Sequence, residues 1–254
     1  MAGTALLAGG GLAVAAGLGL SMIALQSSIG ALNDLHDAPA DAGRLPPKPI
    51  PAGQVSTRMA RAVVVGGATI GLVLAAGAGP VVLALAVAVL AVGFGYDLLA
   101  KGTPWSWLPF AIGIPILPVY GWVGATGVMP DFFVALVPMA MLAGAGLAIA
   151  NARADLERDI TAGSRSVATA LGTERAWRLH VGIWILVLTL GLASLVSTGA
   201  ASPFVALVGV AGAVVVLAAV ASRELAPAGR ERAWEAEAGA VAIALVAWLA
   251  GVLG

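Results

Sequence analysis

Residues 132–159 read FFVALVPMAMLAGAGLAIANARADLERD, an apolar run through Ala150 that gives way to Asn151, Asp155 and Asp159. Roughly 20 mostly apolar residues are what a helix needs to cross a bilayer, so this stretch reads as a membrane span with a polar tip. The tip has the frame N-x3-D-x3-D, which a continuous helix would turn to one face. The same frame recurs at Asn33, Asp37 and Asp41, again where an apolar stretch ends. Carboxylates grouped in this way, with basic residues nearby, suit Mg²⁺ and a phosphorylated substrate. The expectation is phosphate chemistry at a membrane surface.

Outward from residue 132 the chain repeats the pattern. Eight segments are apolar enough to span: about 5–32, 60–79, 80–99, 106–126, 132–150, 179–199, 203–221 and 234–253. Apolar residues make up 60% of the 254 and charged residues only 10%, with a mean hydropathy of +1.01. That predicts an all-α, polytopic membrane bundle forming one integral domain over residues 1–254. The 34 glycines fit helices that approach closely in lipid. A net charge of zero gives no footprint for nucleic acid. The absence of cysteine excludes disulfides and thiolate chemistry. Met1 has no basic stretch after it, so the first segment reads as a span and not as a secretory leader.

Threaded through eight spans, all 13 Lys and Arg fall on one side, and the opposite loops carry only Asp131. By the positive-inside rule that side is cytoplasmic, in a cell inner membrane. An even number of spans separates the two Asn/Asp clusters, so both emerge there.

Four loops line that side. The first, residues 33–56, reads NDLHDAPADAGRLPPKPIPAGQVS. Asp34, Asp37 and Asp41 come first, followed by Arg44 and Lys48, an order suited to a metal-bridged polyanion. Pro39 disfavours helix at Ala38, which predicts that Asp41 lies on a turn past the helix end. His36 is expected to face away from Asp37. The second loop, YDLLAKGTPW (96–105), offers Tyr96 and Lys101 to a phosphate. The third, residues 151–172, adds Gly163 and Arg165; Arg153, Glu157 and Arg158 read as solvated. The fourth, SRELAPAGRERAWEAEAG, has no metal-like frame and reads as a solvated connector. His180 reads as an interface residue at the start of a span, and Trp105, Trp107 and Trp122 as aromatic belts.

The run N-D-x2-D-x3-D followed by K-P-I-P-A-G, the Y-x4-K element, and D-x3-D-x3-G-x-R-S-x-A-x2-L-G together resemble the UbiA superfamily of intramembrane prenyltransferases. The elements occur in the family's order over nearly the whole chain. The resemblance implies metal ligation by Asn33, Asp34, Asp37, Asp41, Asp155 and Asp159, with Mg²⁺ as cofactor. It implies substrate contacts for Arg44, Lys48, Tyr96, Lys101 and Arg165, and catalytic roles for Asp37, Asp155, Asp159 and Lys101. The implied partners are an isoprenyl diphosphate, a hydrophobic acceptor and the bilayer. Three departures stand out. The family usually has nine helices and the first is not evident in this sequence, which leaves open whether an apolar helix is encoded upstream. Asp97 stands where a small hydroxyl residue often follows the tyrosine. Pro39 interrupts the first motif.

The implied activity is Mg-assisted ionisation of the diphosphate and transfer of the prenyl group to an aromatic or lipid-like acceptor. Terpene cyclisation and phosphoribosyl transfer from a diphosphate to a lipid are sister readings with the same motifs. A divalent-cation transporter is the reading from another class. Against it, the carboxylates lie at a membrane edge, whereas transporter sites lie near midplane, and Lys48, Lys101 and Arg165 would repel a cation.

Overall fold

A computed structural model of the chain describes residues 2–43 and 47–254. These residues form helices and no strand. A six-residue helix, α1 (Ala2–Leu7), precedes α2 (Leu12–Asp37), α3 (Thr57–Ala78) and α4 (Pro80–Gly95). A π-turn (Tyr96–Ala100) continues α4. Then follow α5 (Leu108–Thr126), α6 (Phe133–Ala154), α7 (Leu156–Ala162) and α8 (Val167–Leu171). The last three are α9 (Thr173–Ser197), α10 (Ser202–Ala221) and α11 (Pro227–Leu253). Among the described residues eight helices are long and apolar enough to cross a membrane, as the sequence predicts.

Local chemistry sets the ends. Pro begins α4 and α11 and falls in the first turn of α10, where its missing N–H and fixed φ cost nothing. The Ser56 hydroxyl caps α3 by accepting from the Met59 N–H at 3.1 Å. The observed spans differ from the expected ones in physically simple ways. The first splits at Gly9, whose φ of +81° is a left-handed turn that glycine adopts without strain. Helices α2, α6, α9 and α11 run several residues beyond their apolar portions, because a helix may continue in polar sequence once it leaves lipid.

Contacts group the chain into two compact units: residues up to Leu99 with Ile116–Val128, and Ala100–Pro115 with Met129–Gly254. In the first unit, α2 and α3 lie so close that a Cβ on Gly67 would sit 2.7 Å from the Ala24 carbonyl oxygen. Two serines of α2 seal that contact: Ser28 Oγ donates to Val64 O, and Ser21 Oγ to Gly71 O, each at 2.7 Å. Hydroxyls that find backbone acceptors across an interface are a substitute for the hydrophobic drive that lipid removes. Leu18, Leu25, Ala75, Ala86 and Tyr120 complete its core.

The second unit is built around α6, whose residues Ala143–Ala150 are all buried. A Cβ on Gly144 would lie 2.3 Å from the Phe110 carbonyl oxygen, so only glycine fits that crossing. Trp184 packs with Ala143, Leu147, Val215 and Ala219. Two sequence expectations fail here. His180 is not at an interface but fully buried, and Arg153 is 3% exposed and not solvated. Each is enclosed by polar partners drawn from distant helices, which single-helix reasoning does not supply.

Candidate functional site

Within the first unit, the final turn of α2 carries Asn33, Asp34 and Asp37. Helix α2 ends at Asp37, and Asp41 sits on the following turn, as Pro39 predicts. Its N–H still donates to the Asp37 carbonyl at 2.9 Å, so the four-residue spacing survives the break. Lys48 folds back over this end: its Nζ lies 2.8 Å from Asp41 Oδ2 and 3.5 Å from Asp34 Oδ1. Burial pulls the Lys48 pKa down, but the Asp41 carboxylate, backed by Asp34 and Asp37, raises it on balance above 10.5. The ammonium is therefore charged at neutral pH and partly offsets the acidic cluster. Arg44 lies outside the described residues. His36 does not turn away as expected; its Nδ1 is 3.6 Å from Asp37 Oδ1, since adjacent side chains at a helix end can bend toward each other.

Sequence reasoning treated Asp97 only as a departure from a family pattern. It is buried at 2% exposure, in the π-turn directly after Tyr96, and accepts a hydrogen bond from Asn33 Nδ2 at 2.8 Å. That bond fixes which way the Asn33 amide points, leaving its oxygen for another partner. A carboxylate inside an otherwise apolar run was the available signal, since such groups are costly and find a use. π-turns also concentrate at functional sites.

Within the second unit, the frame Asn151, Asp155, Asp159 is not on one continuous helix. Asp155 is the joint between α6 and α7, with φ −96° and ψ 5°. Backbone bonds nonetheless run from Asp155 N to Asn151 O (3.3 Å) and from Asp159 N to Asp155 O (2.9 Å). Arg158 is exposed, as expected, and also places Nη2 2.7 Å from Asp155 Oδ2. Gly163 closes α7 in the left-handed conformation (φ +70°), and Ser164 N donates to Asp159 O at 2.8 Å. Arg165 N donates to Gly102 O at 3.1 Å. That bond brings the backbone of Arg165 to the residue beside Lys101, so these two cations of the second unit come from loops that are stitched together.

The donor set is oxygen-only, which suits a hard divalent cation such as Mg²⁺. Among the described residues no three carboxylate or imidazole groups are gathered tightly enough to cage a metal alone.

The profile of the UbiA prenyltransferase family matches residues 1–238. The chain belongs to this family. Its backbone superposes on an apo UbiA homologue from Aeropyrum pernix K1 with a TM-score of 0.75 and 23% identity, covering 96% of this chain and 91% of that one. A UbiA homologue from Archaeoglobus fulgidus, solved with GPP and Mg²⁺, gives a TM-score of 0.70 at 16% identity, covering 97% and 93%. These likenesses show a common fold. In sequence, the chain is 30% identical over 180 residues to the chloroplastic chlorophyll synthase of Avena sativa. That match takes in 66% of this chain and 47% of the synthase, so the chain spans about half the length of that relative. Family and spans together make it a multi-pass integral membrane protein.

Proposed function

We propose that the protein is a prenyltransferase that ionises an isoprenyl diphosphate and passes the prenyl group to an aromatic or lipid-like acceptor. The observation that carries this reading is the end of α2, where Lys48 closes over Asp34 and Asp41 beside Asp37 and Asn33. A purely structural helix end needs no such concentration of carboxylates at a membrane edge. The family's name and the GPP and Mg²⁺ held by the Archaeoglobus fulgidus homologue support the same chemistry.

Mg²⁺ would be held by Asp37 and Asp41 with Asn33 and Asp34 in the first set, and by Asp155 and Asp159 in the second. Bound there, it would offset diphosphate charge and ease C–O cleavage. Lys48, Tyr96, Lys101 and Arg165, with Arg44 in the same loop as Lys48, are assigned to the outer phosphate oxygens, where fixed cations stabilise charge building on the leaving group. Apolar span residues keep water from the allylic cation, so the acceptor, which gives up a proton as the new bond forms, captures it in preference to water. The acidic sets are assigned to the cytoplasmic side of a cell inner membrane from the distribution of Lys and Arg.

Incubating membranes with isoprenyl diphosphates of several lengths, a lipid extract, and Mg²⁺ or EDTA tests the reading. The expected result is an Mg²⁺-dependent prenylated acceptor with release of diphosphate. Cyclised hydrocarbon alone, or no consumption of any diphosphate, would overturn it.

A further inference from the structure

The turn from α10 to α11 does more than connect two spans. Ser222, at its start, takes two bonds from Arg153: Nη1 donates to Ser222 Oγ at 2.6 Å and Nη2 to Ser222 O at 3.4 Å. Arg230, at its far end, pairs with Glu157 and donates through Nη1 to Leu225 O at 3.0 Å. Arg153 lies two residues before Asp155 and Glu157 two residues after it. The joint between α6 and α7 is thus tied on both sides to one corner.

The tie at Arg153 runs deeper into the unit. Its Nη1 is 3.4 Å from His180 Nδ1, and His180 Nε2 is 2.8 Å from Glu237 Oε2. Trp184 Nε1 donates to that same Glu237 oxygen at 3.0 Å. With His180 donating from Nε2 to Glu237 and accepting at Nδ1 from Arg153, the Trp184 N–H, 2.9 Å from Nε2, is left to Glu237 as its acceptor. Helices α6, α9 and α11 and the turn after α10 contribute, and His180 and Glu237 have no exposure at all. Among the described residues, Glu237 Oε1 and Arg153 Nε are buried with no hydrogen-bond partner.

Such a network is a poor way to gain stability. Apolar side chains of the same volume are often as stable as a buried ion pair or more so, and a half-satisfied polar network costs more still. What it offers is direction: hydrogen bonds fix a rotational register that apolar packing leaves loose. Asp155 is where the helical path is weakest, because its backbone departs from α-helical values (φ −96°, ψ 5°) and only the single bonds to Asn151 O and from Asp159 N carry the spacing across the joint.

We propose that Ser222, Arg153, His180 and Glu237, with the Arg230–Glu157 pair, are positioning residues that fix the Asp155 joint. They touch no substrate and act through the backbone that carries Asn151 and Asp155. The inference rests on the reading of Asp155 as part of the diphosphate site.

The chain has no cysteine, so a spin label at Ala162→Cys, on the exposed end of α7, reports the joint independently of turnover. The test uses the full chain in detergent and compares wild type, Ser222→Ala and the paired change Arg153→Met with Glu237→Gln. The paired change removes both buried charges together, so no lone ion is left to unfold the protein. The expected result is a Tm close to wild type in both variants, a label spectrum that gains a mobile component, and kcat down roughly tenfold or more with KM for the diphosphate little changed. A paired variant that keeps both the wild-type spectrum and wild-type kcat overturns the proposal. If the paired variant does not fold, Ser222→Ala decides by the same two readouts. If wild type consumes no diphosphate, the functional reading fails by itself, while the label spectra still decide whether the clamp exists.

Discussion

The two N-x3-D-x3-D frames are alike as letters and are held in different ways. At the end of α2, the acidic group is restrained from outside its own helix: Lys48 reaches back from the proline-rich loop, and Asn33 is oriented by Asp97 from the π-turn. At the end of α6, Asp155 is met by its own neighbour Arg158, and the restraint comes from residues two positions to either side. The first frame is fixed by contacts from distant residues to its functional groups, the second by side chains that flank Asp155 in sequence and reach a distant corner. One sequence pattern therefore specifies which groups are offered, and the surrounding fold decides how rigidly.

The sharpest test of that comparison removes one carboxylate from each frame. Asp37→Ala and Asp155→Ala should each lower kcat by about 10²–10³ or more, with the helical circular dichroism retained in detergent. Equal, near-normal turnover in both variants would break the assignment of either frame to catalysis. If only one variant is impaired, the frames are not functionally equivalent and the likeness is one of spelling.

Next in size are the glycine contacts that build the two units. Gly144→Ala places a methyl against the Phe110 carbonyl, and Gly67→Ala one against the Ala24 carbonyl. Overpacking of this kind costs about 1–3 kcal/mol, and the Gly144 contact is the tighter of the two. Thermal unfolding should show the larger drop for Gly144→Ala. The reverse order would mean that α2 and α3 are the less yielding pair.

Lys48→Met should weaken the first frame and leave the second untouched. Asp41, at 7% exposure, loses the ion-pair partner that Lys48 supplies, a loss of about 1 kcal/mol. The pH dependence follows from the raised Lys48 pKa: the stabilisation is complete below the unfolded value of 10.5 and fades as pH climbs through the higher folded value. Between about pH 6 and pH 9 the contribution of this lysine is therefore present in full and does not change with pH. A midpoint near neutrality that vanishes in Lys48→Met would contradict the pairing.

The smallest effect is expected at Lys101. As a charge clamp it should tolerate Lys101→Arg better than Lys101→Gln, although the planar guanidinium fits a point-charge site imperfectly. Indistinguishable KM values for the diphosphate in all three proteins would leave Lys101 as a membrane-edge anchor.

How much of this was legible beforehand depends on the distance over which each feature is decided. The eight spans and the turn placing Asp41 beyond its helix follow from composition and from Pro39, both local. The break of the second frame at Asp155 does not, since no proline or glycine marks it. Asp97 showed only as an odd letter, because its partner Asn33 is 64 positions away. Arg153 was read as solvated for the same reason: charge near a helix end is ordinarily wet, and nothing beside it reveals that Ser222, 69 residues on, will enclose it. The fourth loop lacked a metal-like pattern, yet it holds the corner to which the Asp155 joint is tied.

Glu237 also bears on how the chain is assembled in the bilayer. Helix α11 opens with Arg230, Glu231, Arg232, Glu235 and Glu237 before its apolar stretch begins. A lone buried carboxylate is expensive, and this one has no exposure at all. Its two hydrogen-bond donors, His180 and Trp184, belong to α9, which is synthesised and inserted earlier. Helix α11 can therefore settle at full depth only once α9 is in place to receive it, which makes the insertion of α9 a precondition for that of α11.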